Sequence, residues 1–159
     1  MADQSVAYSA DRLQYLNEQE RAATGCTHKF VIDYTDINDS TWTTDGDTVT
    51  VSLITTVADW VVLRGFANVT TAFTTDGTLT MAVGTDGNVD SIIDETSVKT
   101  AGPLVDVAGG IPAVLADSNA AAADTLVAQF ATQAATGAPA DIDAGSVTIY
   151  LQLLELNKV

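Results

Sequence analysis

Residues Gly145 to Leu156, reading Gly-Ser-Val-Thr-Ile-Tyr-Leu-Gln-Leu-Leu-Glu-Leu, constrain the fold more than any other stretch of the chain. Val147, Ile149, Leu151 and Leu153 fall on one face of an extended segment, and Thr148, Tyr150, Gln152 and Leu154 on the other. That period of two predicts a long half-buried strand. A strand this close to the C-terminus satisfies its backbone only by pairing inside a sheet, so the expectation is an all-β domain, an antiparallel β-sandwich.

The rest of the chain has the punctuation such a domain needs. Strands are expected near His28 to Tyr34, Thr48 to Ile54, Trp60 to Asn68, Thr78 to Val83, Ser97 to Thr100, Leu104 to Ala108, Asp124 to Thr132 and Ser146 to Leu156, about eight in all. Thr-Asp-Gly recurs at Thr44-Asp45-Gly46, Thr75-Asp76-Gly77 and Thr85-Asp86-Gly87, and Asp-Gly is favoured where a tight hairpin needs positive φ. Between Val114 and Ala135 two periods compete. Ala122, Leu126 and Phe130 are spaced as on a helix, while Leu126, Ala128 and Phe130 alternate as on a strand, and the strand is the expectation from Asp124 onward. Residues 134–143, rich in alanine with Gly137 and Pro139, read as a loop.

Residues 1–25 read as an N-terminal arm or short helix, and residues 26–159 as the sandwich domain. Ser9 or Asp11 is the expected helix cap and Gly25 the expected left-handed stop, with only Leu13 and Leu16 as an apolar stripe. A stripe that thin fits either a surface helix packed on the sandwich or an arm that docks on a neighbour. Charge divides at nearly the same point. Arg12, Arg21 and Lys29 oppose four acids up to residue 29, whereas Arg64, Lys99 and Lys158 oppose the other 17 from there on. With a net charge of -15, the chain has no clustered cations to neutralise a phosphate backbone, so nucleic acid is excluded as the expected partner. No run approaches the roughly 18 apolar residues of a membrane span, and no secretory signal is recognisable.

One cysteine and one histidine exclude a disulfide framework and a Cys/His metal cluster. Cys26 and His28 could share a face as nucleophile and base, but no orienting group or oxyanion hole accompanies them, and no enzymatic motif appears elsewhere. The expectation is a non-enzyme without cofactor. Asp86-Gly87-Asn88-Val89-Asp90 opens like a calcium loop, then has Ser91 and Ser97 where that loop needs glycine and glutamate. Asp33, Asp36, Asn38 and Asp39 form a second acidic group, and turn chemistry accounts for both. Trp60 lies in the apolar run Trp60-Val61-Val62-Leu63 and reads as core; Trp42 precedes a turn and is a candidate contact residue.

Three segments in order, Trp60 to Phe73 ending in Val-Thr-Thr-Ala-Phe, Leu79-Thr80-Met81-Ala82-Val83-Gly84, and Ala144-Gly145-Ser146-Val147-Thr148-Ile149-Tyr150, resemble the small virion structural proteins of tailed bacteriophages. The resemblance implies a jelly-roll capsid decoration or cement protein. Such a protein is generally a homotrimer on the outer head surface that clamps major capsid subunits, made in the host cytoplasm and located on the virion. No catalytic residue comes with it. The interface residues expected from the sequence are Leu13, Tyr15, Leu16 and Trp42. A carbohydrate- or receptor-binding module of a virion appendage is the alternative, with Trp42 as a stacking residue.

Overall fold

The computed structural model describes residues 3–6, 14–37, 48–54, 60–75, 77–104, 113–114, 125–133 and 142–155. In chain order the elements are β1 (Asp3–Val6), β2 (Gln14–Tyr15), α1 (Glu18–Thr24), β3 (His28–Asp33), α2 (Tyr34–Ile37), β4 (Thr48–Ile54), β5 (Trp60–Thr71), β6 (Thr78–Thr85), β7 (Asn88–Ser97), β8 (Gly102–Leu104), β9 (Ala113–Val114), β10 (Leu126–Gln133) and β11 (Ser146–Glu155). They form two sheets. The first runs β1-β4-β10-β6-β7 and the second β2-β3-β11-β5-β8, with β9 added to β5.

Without the short strands β1, β2 and β9, two four-stranded antiparallel sheets remain, β4-β10-β6-β7 over β3-β11-β5-β8. The last long strand lies beside the first, the penultimate beside the second, and the chain changes sheet at nearly every connection. This nesting is the jelly-roll order. Only β6 and β7 are joined as a hairpin, with Thr85 opposite Asn88 across Asp86-Gly87.

Burial follows the alternation. Val147, Ile149 and Leu151 of β11 are buried against Phe30 and Ile32 of β3, Ala67 and Val69 of β5, and the inner face of the opposite sheet. There Leu126, Ala128 and Phe130 of β10 alternate inward, which resolves the competing helical period in favour of a strand paired on both edges. Phe130 meets Phe73 at 5.8 Å between ring centroids, tilted by 50°.

Two expectations change. The stretch Asn88–Ser97 is a ten-residue strand, whereas a strand was expected only from Ser97 to Thr100. Its polar and acidic residues hide the pattern because β7 is an edge strand with an exposed flank. The Thr-Asp-Gly segments also do different jobs. Thr85-Asp86-Gly87 turns a hairpin with no positive φ at Gly87, and Thr75-Asp76-Gly77 lies where the chain crosses between sheets, from β5 to β6. Thr44-Asp45-Gly46 and most of the expected strand Leu104 to Ala108 lie outside the described residues.

The N-terminal segment carries the expected short helix and two edge pairings besides. β1 runs parallel to β4 and β2 antiparallel to β3, so the segment reaches both sheets. Asn17, and not Ser9 or Asp11, caps α1: its side chain accepts from the Glu20 N–H at 2.9 Å while the Glu20 carboxylate accepts from the Asn17 N–H at 3.1 Å. Gly25 ends the helix at φ 68°, donating its N–H to the Arg21 carbonyl at 2.8 Å, as expected from the sequence.

Glycine sets how closely the layers approach. Gly65 faces inward on β5, and a Cβ there would lie 2.7 Å from Ile92 Cγ2 and 2.9 Å from Leu151 Cδ2. At Gly145, with φ 145°, a Cβ would overlap the Phe73 ring. Gly65→Ala is therefore expected to lower the unfolding free energy by about 1–3 kcal/mol through overpacking. Gly87→Ala, in open space on the hairpin, should change it by less than about 0.5 kcal/mol. Urea unfolding followed by circular dichroism measures both, and equal effects would refute the packing argument.

Candidate interaction surface

The register that buries one side of β11 turns Thr148, Tyr150, Gln152 and Leu154 outward. Tyr150 lies opposite Lys29 of β3 on one edge and Phe66 of β5 on the other, and Gln152 lies opposite Arg64. The Phe66 and Tyr150 rings stack at 4.9 Å with 17° between their planes. The Arg64 guanidinium carbon sits 5.9 Å from the Phe66 centroid, within cation–π range. The β5–β11 pairing slips between Gln152 and Leu153, where β5 passes from Arg64 to Val62. Leu63 is thus the extra residue of a bulge, which turns it to solvent.

Among the described residues the exposed large hydrophobics are Val31, Leu63 and Leu154, at 37%, 39% and 39% exposure. All three belong to the β3-β11-β5 sheet. With Phe66 and Tyr150 half-buried between Val31 at one end and Leu63 and Leu154 at the other, they make its outer face partly apolar, crossed by the polar pair Gln152 and Arg64. The opposite sheet presents a polar ladder instead: Gln129 donates to the Thr50 hydroxyl at 3.3 Å, and the Thr80 hydroxyl donates to the Glu95 carboxylate at 2.6 Å. Isolated apolar side chains on a surface are ordinary, whereas several on one sheet face with aromatic and arginine members among them have the composition of a protein interface.

Two cations, Lys29 opposite Tyr150 and Arg64 opposite Gln152, lie within the same face. Lys29 Nζ meets a Glu20 carboxylate oxygen at 2.6 Å, and this ammonium, followed by the Asn17 N–H, holds Glu20 below the usual carboxylate range. Arg64 is exposed, and its Nη1 would lie 3.1 Å from a Cβ placed on Gly25. Arg21 turns its Nε to the Leu16 carbonyl at 2.9 Å.

The residues singled out in the sequence fare differently. Leu16 is buried at 2% exposure, so its side chain belongs to the fold. Tyr15 pairs through its backbone with His28 in β2. Leu13 and Trp42 lie outside the described residues. Cys26 and His28 are both buried. Burial pushes the Cys26 thiol up, with partial relief from Arg64, and pushes the His28 imidazole down, with Arg21 adding to the effect. Both directions oppose a thiolate–imidazolium pair. The Thr27 hydroxyl, 2.7 Å from His28 Nδ1, also accepts from the Leu153 N–H at 3.0 Å and fastens the start of β3 to β11.

Asp33 and Asp36 spend their oxygens on their own turn. The Asp33 N–H donates to Asp36 at 2.9 Å, and the Thr35 N–H donates to Asp33 at 2.8 Å. Asn38 and Asp39 lie outside the described residues. Asp86, Asn88 and Asp90 run through a hairpin turn into an extended strand, a backbone path unlike the closed twelve-residue loop of a calcium site. No group of three His, Cys, Asp or Glu positioned for a metal occurs among the described residues.

The apolar face had a sequence signal. Tyr150 and Leu154 were already assigned to the second face of the C-terminal strand, and apolar residues on both faces of one strand indicate a covered or contacting outer face. The register that places Phe66, Arg64 and Val31 beside them is non-local and has no counterpart in local pattern. No family model, no curated protein and no solved structure matches this chain.

Because the folded state disfavours a protonated His28, the unfolded chain takes up that proton first as pH falls. The contribution of the neutral ring is complete above about pH 6.5 and declines as pH drops from there toward the depressed folded value. The stability advantage of the wild type over His28→Gln is therefore expected to shrink between pH 7.5 and pH 5 in urea titrations. A difference independent of pH would show that burial does not perturb the ring.

Proposed function

We propose that this chain is a non-enzymatic structural protein of a bacteriophage virion, a homotrimeric decoration protein that binds the outer head surface and stabilises the shell by bridging major capsid subunits. The observation that carries this reading is an apolar, arginine-bearing face on the β3-β11-β5 sheet, which holds all the exposed large hydrophobics among the described residues of a strongly acidic chain. A fold shared by capsid and lectin domains does not assign a function. A surface built for protein contact, in a chain whose one thiol–imidazole pair is buried and shifted the wrong way for nucleophilic attack, favours assembly over chemistry. The segments that carry the phage resemblance correspond to β5, β6 and the start of β11, and β5 and β11 bear much of that face.

Binding confined to the assembled shell stabilises it by linkage, in proportion to ligand excess over the dissociation constant. A high negative charge keeps many copies soluble while they crowd one particle. The nearly neutral N-terminal segment and Trp42 supply the proposed shell contacts, through Leu13, Tyr15 and Trp42; Leu16 is committed to the interior. A glycan- or receptor-binding appendage module, with Trp42 as its stacking residue, is the alternative reading.

Purified heads lacking decoration, incubated with the chain and sedimented, test the proposal. Saturable binding and a raised disruption temperature of the heads are expected. The double variant Leu13→Ala, Tyr15→Ala should weaken binding about tenfold or more, a loss of at least ~1.4 kcal/mol. Absence of binding to heads, together with a glycan-array signal, would replace this reading with the appendage module.

A further inference from the structure

We infer that the apolar outer face of the β3-β11-β5 sheet receives the acidic β7 edge of a second copy of this chain. The inference rests on the assembly reading above only for the size of the ring. On the face, Arg64 is exposed with no carboxylate partner among the described residues, and the stacked Phe66 and Tyr150 rings lie beside it. On β7, Asp90 and Asp94 are exposed, as is Glu95, one of whose carboxylate oxygens accepts from Thr80. The cation nearest that flank in sequence, Lys99, donates to the carbonyls of Thr75 and Gly77, the former at 2.7 Å, and so ties down its own loop.

Charge decides which surfaces meet. Pairing the face with itself brings two Arg64 guanidinium groups together across an apolar contact with no carboxylate supplied to either, since Glu20 is held by Lys29. Pairing β7 with β7 sets carboxylates against carboxylates along a strand edge that has no partner among the described residues, an arrangement that edge charges oppose. Joining face to edge brings opposite charges together and covers the apolar side chains. Arginine and tyrosine are the residue types that most often anchor such contacts, and an arginine pairs with carboxylates in a fixed fork.

The geometry also sets the symmetry. A sheet face and a strand edge point in different directions, so the two surfaces are not one self-complementary patch, and the contact is head-to-tail. A head-to-tail contact repeats until it closes into a ring or extends as a filament. Three copies closing on one axis give the homotrimer of the proposed function.

Sedimentation velocity of the full chain, free of heads, tests this directly. The wild type is expected at about three times the 16.5 kDa protomer mass, with a dissociation constant that rises with salt. Arg64→Glu and Asp94→Lys are each expected to weaken association about a hundredfold. Both positions are exposed, so far-UV circular dichroism should be unchanged. The double variant Arg64→Glu, Asp94→Lys should recover the trimer, because the reversed pair is again complementary. A wild type that is monomeric at all concentrations overturns the inference, as does a folded Arg64→Glu variant with undiminished association or a double variant that fails to recover. A monomer that still binds heads would leave the shell-binding role standing while removing both this contact and the trimer. A trimer blind to heads would do the reverse.

Discussion

β11 is hydrogen-bonded along both edges, to β3 on one side and β5 on the other, and the rest of the molecule depends on that double pairing. Without it β3 and β5 have no connection, since they are not neighbours in the sheet. The same register puts Val147, Ile149 and Leu151 under the opposite sheet and Tyr150 and Leu154 on the outside. Fold and surface are therefore one constraint. A slip of a single residue would send the aliphatic set to solvent and the tyrosine to the interior.

Pairing the last strand with the first long one is entropically demanding, because nearly the whole chain must be gathered before the contact forms. Local devices shorten the search. The β6–β7 hairpin forms between sequence neighbours, and the reciprocal Asn17–Glu20 bonds with Gly25 fix α1. At the junction of α1 with β3, Thr27 donates its N–H to the Leu151 carbonyl at 2.9 Å and accepts from Leu153. One hydroxyl-bearing residue thus extends the β3–β11 pairing past its end, and Lys29–Glu20 joins the helix to the strand on the outer side.

Most of the core was legible from the sequence, and the contact face was legible only in part, for a common reason. Strand alternation is local, so the inward set on β11 and the choice of strand over helix at Leu126 to Phe130 follow from period alone. Edge strands obscure that signal. β7 carries adjacent buried Ile92 and Ile93 between acidic residues, where register shifts against β6 break the simple alternation. Gly25 was readable as a helix stop because αL geometry favours glycine, while the cap of α1 is Asn17, whose side chain and backbone exchange hydrogen bonds with Glu20, in place of the expected Asp11 or Ser9. The face combines three strands distant in sequence, and its stacked ring pair exists only once β5 and β11 are side by side.

Charge and contact are reconciled by their different ranges. At physiological ionic strength the repulsion between acidic bodies is screened over about 8 Å, so it acts chiefly while copies approach. At contact the balance is set by the few groups that touch, and in a face-to-edge arrangement these are Arg64, the aromatic pair and the β7 carboxylates. Arg64 already lies against Phe66 and needs little further ordering to receive a carboxylate, whereas Lys29 has its acid in Glu20. One arginine on a partly apolar face then outweighs a much larger but diffuse repulsion, because its partner meets it where water has been displaced and the local dielectric is lower. The net charge governs solubility, and the placement of a single cation governs which surfaces join.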